Sequence, residues 1–130
     1  VLRFFAYLNN YENFGHTVNE FLDEYLIKNL TDFDETGFYT NFQNMVTFVK
    51  ENFPYGFAKT EKAKATPRVR FEAISVGVAL ALREKPDLKI KNIDWIDSDE
   101  FKEYTTSDAS NNEGKLKLRV EYVRDQLLKE

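Results

Sequence analysis

Residues Phe53 to Pro86 read FPYGFAKTEKAKATPRVRFEAISVGVALALREKP. A basic loop punctuated by proline and glycine leads straight into a segment that is apolar on nearly every side of a helix. Thr66 is placed to act as N-cap and Pro67 to take the first helical position, where its missing N–H leaves no bond unmade. Pro86 disfavours helical backbone at the residue before it and so closes the segment. A helix without a polar face is normally buried at the centre of a domain. Pro67–Lys85 is therefore predicted as the central apolar helix of an all-α fold. Ala73, Gly77 and Ala81, four apart, form a smooth stripe along it. A mid-helix glycine costs about 1 kcal/mol relative to alanine, and close approach of another backbone is the expected compensation.

Working outward, periodicity predicts about five helices packed around this one, with long loops at 53–66 and 86–97 and no convincing strand pairing. Leu2, Phe5 and Leu8 recur three apart over 1–9. Thr17-Val18-Asn19-Glu20 reads as a capping box, and the helix behind it puts Val18, Phe21, Leu22, Tyr25, Leu26 and Leu30 on one face. A helix over 36–52 carries Phe38, Phe42, Met45, Val46, Val49 and Phe53 in register. Asp97-Ser98-Asp99-Glu100 reads as a second capping box opening a short helix through Tyr104. The final helix, over 112–129, turns Leu116, Val120, Val123 and Leu127 inward. Lys89–Ile96 alternates weakly, as an extended linker or an edge strand would. Twelve Phe, seven Tyr and one Trp imply a core filled by aromatic rings.

At 130 residues the chain suits one helical domain, 1–130, large enough to bury well over half of its unfolded surface. It starts at Val1 inside an apolar pattern, as a piece of a longer protein would. No cysteine is present, which excludes disulfides and thiolate metal sites and fits a reducing compartment. No stretch approaches the roughly 18 apolar residues of a membrane span, and no signal peptide is visible. The expectation is a cytoplasmic protein with no membrane partner.

The charge is unevenly spread. Residues 1–56 hold three Lys/Arg and eight Asp/Glu (net −5), residues 57–91 nine and four (+5), and residues 92–130 six and ten (−4). A basic middle can face a polyanion or pair with its own acidic neighbours. Lys59, Lys62, Lys64, Arg68 and Arg70 put five cations in twelve residues, opposed only by Glu61, with Tyr55 and Phe57 just ahead. Lysines for phosphates, arginine forks and stacking rings fit nucleic-acid contact; a solvated lysine-rich loop fits the same residues. Arg68 and Glu72 are spaced for a local ion pair, and Arg70 lies on another face.

A second polar run, Thr105 to Asn112, precedes the last helix. Ser107, Asp108, Ser110 and Asn111 there either cap and turn the chain locally or hydrogen-bond a sugar, base or phosphate beside Lys115 and Arg119. No metal site emerges. His16 is the single histidine, so a zinc site of the usual nitrogen and sulfur type cannot be built. Asp32-Phe33-Asp34-Glu35-Thr36-Gly37 begins like a calcium loop, but its twelfth position, which requires glutamate, is Gln43. No phosphate-binding glycine loop and no nucleophile beside His16 points to catalysis.

Phe53-Pro54-Tyr55-Gly56-Phe57 and Thr66-Pro67-Arg68-Val69-Arg70-Phe71-Glu72-Ala73-Ile74 resemble the C-terminal region of the domain of unknown function 262 family. So do Leu2-Arg3-Phe4-Phe5-Ala6-Tyr7-Leu8-Asn9-Asn10-Tyr11, Thr106-Ser107-Asp108-Ala109-Ser110-Asn111 and Arg119-Val120-Glu121-Tyr122-Val123-Arg124-Asp125. That family includes the GmrSD-type modification-dependent restriction proteins. Its nuclease motif, Asp-Gly-Gln-Gln-Arg, does not occur in this chain. The resemblance implies an accessory helical domain of a nucleotide-stimulated DNA endonuclease of the anti-phage type, with the catalytic domain upstream. It implies no catalytic residue and no cofactor here, while the parent would use a nucleoside triphosphate and a divalent metal. The expected partners are that upstream domain, DNA and a second copy of the chain. The alternative is a non-catalytic structural module for docking or dimerisation.

Overall fold

A computed structural model describes residues 2–11, 18–28, 35–58, 66–90, 93–105 and 113–129. Among them are six α-helices: α1 (Leu2–Asn10), α2 (Val18–Lys28), α3 (Glu35–Asn52), α4 (Arg68–Glu84), α5 (Asp99–Tyr104) and α6 (Glu113–Leu128). A 3-10 turn at Asp94–Asp97 precedes α5. The fold is all-α, with no strand among the described residues. Over 89–96, where alternation left an edge strand open, the described residues 89, 90 and 93 belong to no helix or strand and 94–96 enter the 3-10 turn, while 91 and 92 lie outside the described residues. The second long loop is correspondingly shorter than its expected 86–97.

Helix α4 packs against α6, α3 and α1, while α2 lies on α1 and α5 on α6. The reason is in its sequence. Val69, Ala73, Ile74, Val76, Val78, Ala79 and Ala81 are all buried, on more than one side of the helix. It is not apolar throughout, however, because Arg70, Glu72 and Ser75 are buried with them. Gly77 explains how closely α6 approaches. A Cβ there would run into the Val123 side chain and stand 3.0 Å from the backbone oxygen of Val120. The small-residue stripe thus meets a backbone that cannot swing aside.

Rings fill much of the remaining space. Phe4 meets Phe42 edge-on at 5.4 Å and Phe5 stacks on Phe38 at 4.9 Å, joining α1 to α3. Tyr7 stacks on Phe21 at 5.6 Å, joining α1 to α2. At the other end Trp95 stands edge-on to Phe53, Phe101 and Tyr122. Met45 and Val49 are buried on α3 and Phe53 just past its end, and Leu116, Val120, Val123 and Leu127 on α6, as their periodicity predicts. Leu26 departs from expectation: it is 46% exposed, while Phe21 and Tyr25 carry the buried face of α2. Thr17 and Leu30 lie outside the described residues, as do His16 and the acidic positions 32 and 34.

Several helix ends are set by side chains. Arg83 reaches back from α4 to the end of α1, donating to Asn9 Oδ1 at 2.7 Å and to the Leu8 carbonyl at 3.5 Å. Asn9 in turn donates to the Tyr25 hydroxyl at 3.1 Å. One cation thereby ties α1, α2 and α4 together where α1's last carbonyls lack helical partners. Two caps differ from the expected register by one residue. Ser98, not Asp97, caps α5, its Oγ accepting from Phe101 N at 3.1 Å. Asp97 is instead the last residue of the 3-10 turn. Pro67, not Thr66, holds the N-cap of α4, at φ −56° and ψ 137°. The proline ring fixes φ at a value shared by helical and extended backbone, so ψ decides its place. At the far end Lys85 is extended before Pro86 (φ −134°, ψ 88°), the conformation a following proline favours.

Candidate functional site

The first turn of α4 and the chain entering it bring together what the structure shows of the basic region. Phe53 to Ala58 fold into two consecutive turns: Gly56 N donates to Phe53 O at 3.2 Å and Ala58 N to Tyr55 O at 3.1 Å. Gly56 sits at φ +60°, in the left-handed region that glycine enters without penalty. The turn is fastened to α4 by Arg70. Its Nε donates to the Phe57 carbonyl at 2.9 Å and its Nη2 reaches the Ala58 carbonyl at 3.4 Å. The guanidinium also lies over the Phe101 ring, 5.5 Å from the centroid. Phe57 packs on Phe71 with ring centroids 4.9 Å apart.

Arg70 is 5% exposed. Burial pulls its guanidinium below the ordinary value, and the charge of Asp97 opposes that shift. Its donors face the protein's own carbonyls, so it holds the turn in place and presents no open fork to a ligand. Arg68 behaves differently. Its side chain is half-exposed and its Nε stands 3.7 Å from Glu72 Oε1, the local pair that the spacing predicts.

Glu72 continues inward. Its Oε2 lies 3.5 Å from Nη1 of Arg119 on α6, and both side chains are essentially inaccessible, at 1% and 0%. Burial lowers the Arg119 pKa; the Glu72 carboxylate and Tyr7 oppose the shift, and the charge of Arg68 adds to it. Sequence reasoning placed Arg119 beside a ligand-facing polar run, whereas the structure buries it. A usable signal was present. Arg119 falls three residues after Leu116 and four before Val123, inside the apolar register of α6.

The other candidates are distributed as follows. Lys59, Lys62, Lys64, Ser107, Asp108, Ser110 and Asn111 lie outside the described residues. Lys115 belongs to the first turns of α6. Thr105, at the start of the second polar run, is buried and bonds its Oγ1 to the Phe101 carbonyl at 2.8 Å, which closes α5. Phe57 is covered in part by Phe71, but Tyr55 is 50% exposed.

Elsewhere a groove of about 730 Å³ runs between the second half of α3 and the 86–90 segment, with Phe48, Leu82, Leu88 and Ile90 in its walls. Among the described residues no group of three or more His, Asp or Glu side chains is placed to hold a metal. No described helix is long and apolar enough to cross a membrane. Compared with family models, curated proteins and solved structures, the chain matches none.

Proposed function

We propose that this chain is a non-catalytic, nucleic-acid-contacting helical module, the accessory domain of a nucleotide-stimulated DNA endonuclease of the GmrSD-like anti-phage type. The observation that carries the reading is the fastening of the 53–58 turn to α4 by Arg70. Ala58 and Thr66 bracket the segment that holds Lys59, Lys62 and Lys64. An anchored entrance and a helix start bearing the exposed Arg68 supply a fixed base for phosphate contacts, whose strength comes from counterion release. The resemblance at residues 53–57 and 66–74 supports the same reading. In it the catalytic residues, the nucleoside triphosphate and the divalent metal belong to the upstream domain.

The test is binding of labelled DNA by the purified chain at two salt concentrations, with plasmid nicking assayed alongside. Salt-sensitive affinity without nicking is the expected result. Nicking that an internal point mutation abolishes would overturn the non-catalytic assignment. A second reading, a docking or dimerisation module, is favoured by Leu26, Tyr39 and Leu118, large apolar side chains about half-exposed or more. Self-association without DNA affinity is its signature.

A further inference from the structure

Tyr55 stands half-exposed at the tip of a turn that is fixed from several directions. Pro54 has its φ set by its ring, Gly56 takes the left-handed conformation, and two backbone hydrogen bonds close the double turn. Arg70 holds the carbonyls of Phe57 and Ala58 from beneath. Ordering surface backbone this firmly costs conformational entropy, yet half of the side chain displayed at the tip stays in solvent. The neighbouring ring, Phe57, is turned against Phe71, so only one of the two aromatics that lead into the basic region faces outward. Arg68 is exposed at the adjoining helix start, and residues 57–91 carry the chain's net positive charge. Tyr39 is more exposed still, but no Lys or Arg lies within ten residues of it in sequence and three acids, Asp32, Asp34 and Glu35, do, whereas Tyr55 leads directly into the basic run.

We propose that Tyr55 is a stacking platform for a base of single-stranded nucleic acid, and that Arg70 is the positioning residue that holds the platform. This rests on the reading of the domain as a nucleic-acid-contacting module. A rigid exposed ring at the entrance to a basic stretch of sequence suits this ligand because every base offers a π-face, and stacking tolerates any sequence. Bases inside a duplex are already stacked on one another and must be extruded before a protein ring can reach them. The preference should therefore be for single strands.

The experiment is fluorescence anisotropy of a labelled oligothymidylate titrated with the chain and its variants, at two salt concentrations. Tyr55→Ala should weaken binding about five- to hundredfold, the range that removing one base stack gives. Its salt dependence should match the parent's, since the ring carries no charge. Tyr55→Phe should bind like the parent. Arg70→Met should weaken binding with the slope of log affinity against log salt unchanged, because Arg70 acts through the turn; direct phosphate contact by Arg70 would flatten that slope by roughly 0.9 and overturn the positioning role. Tyr55→Ala is a surface change, so its thermal melt should coincide with the parent's. If Tyr55→Ala binds within twofold of the parent while the joint replacement of Lys59, Lys62 and Lys64 weakens binding, the stacking role is overturned and the nucleic-acid reading stands. Equal affinity for duplex and single strand would also overturn it. If the parent binds no oligonucleotide even at low salt, both fail.

Discussion

Glu72 and Arg119 illustrate how a charged residue takes a core position. Each is inaccessible to water, and each lies near an opposite charge contributed by another helix. Removing water from two ions costs several kcal/mol per ion, which a nearby opposite charge offsets. Arg119→Met should therefore destabilise the domain by about 3 kcal/mol or more, since it leaves Glu72 buried without its cation from α6. Combining it with Glu72→Leu should cost clearly less than the two single changes added together. A double-mutant cycle from urea unfolding checks this, and additive losses would mean that the pair is not coupled. Tyr25 gives a pH-dependent case. Burial raises its pKa above the ordinary tyrosine value, with the Asn9 hydrogen bond and Arg83 partly opposing the shift. The folded chain then keeps this proton after the unfolded chain has released it. Its contribution is fully present below about pH 10 and is lost as pH rises through the folded value. Between about pH 9 and about pH 11 the parent should lose more stability than Tyr25→Phe, as denaturant midpoints will record.

At the scale of elements, the packing of α4 on α6 rests on a position without a side chain. Gly77→Leu would push a branched side chain into Val123 and the Val120 carbonyl, and overpacking of this kind typically costs about 1–3 kcal/mol, with more expected against backbone. A melting temperature within a degree or two of the parent would show that α6 does not approach so closely here. This packing was readable beforehand because Ala73, Gly77 and Ala81 share one helical face, and close approach is what offsets a mid-helix glycine. The inner faces of α3 and α6 were readable for the same reason, through regular apolar spacing. The burial of Arg119 could be read from the same spacing, but its partner could not, because Glu72 lies 47 residues away in sequence and one chain gives no sign of which distant carboxylate will arrive. The cap of α5 was missed by one residue because Asp97, Ser98 and Asp99 are all good N-caps. The preceding 3-10 turn takes Asp97, leaving Ser98 to cap α5, and its hydroxyl also meets that of Tyr122 at 3.1 Å. Leu26 was misplaced because Phe21 and Tyr25 define the covered side of α2, and Leu26 stands about 100° round the helix from Tyr25.

Over the whole molecule, a mildly acidic chain has one segment of net positive charge, between two acidic ones. The candidate site was only half readable from that pattern. The cluster of cations was visible, but the division of labour between its arginines depended on which way each faces. Arg70 turns inward to hold a turn, and Arg68 stays at the surface beside Glu72. The central claim, that this basic region meets DNA, is tested most directly by replacing Lys59, Lys62 and Lys64 together with neutral residues. DNA affinity of parent and variant is then measured at two salt concentrations, with thermal melts alongside. The account predicts weaker binding across sequences and a slope of log affinity against log salt reduced by roughly 0.9 for each phosphate that is no longer neutralised. Melting should be unchanged, because solvated surface charges contribute little to stability. Unchanged affinity together with an unchanged slope would contradict it, reducing the three lysines to ordinary surface charge.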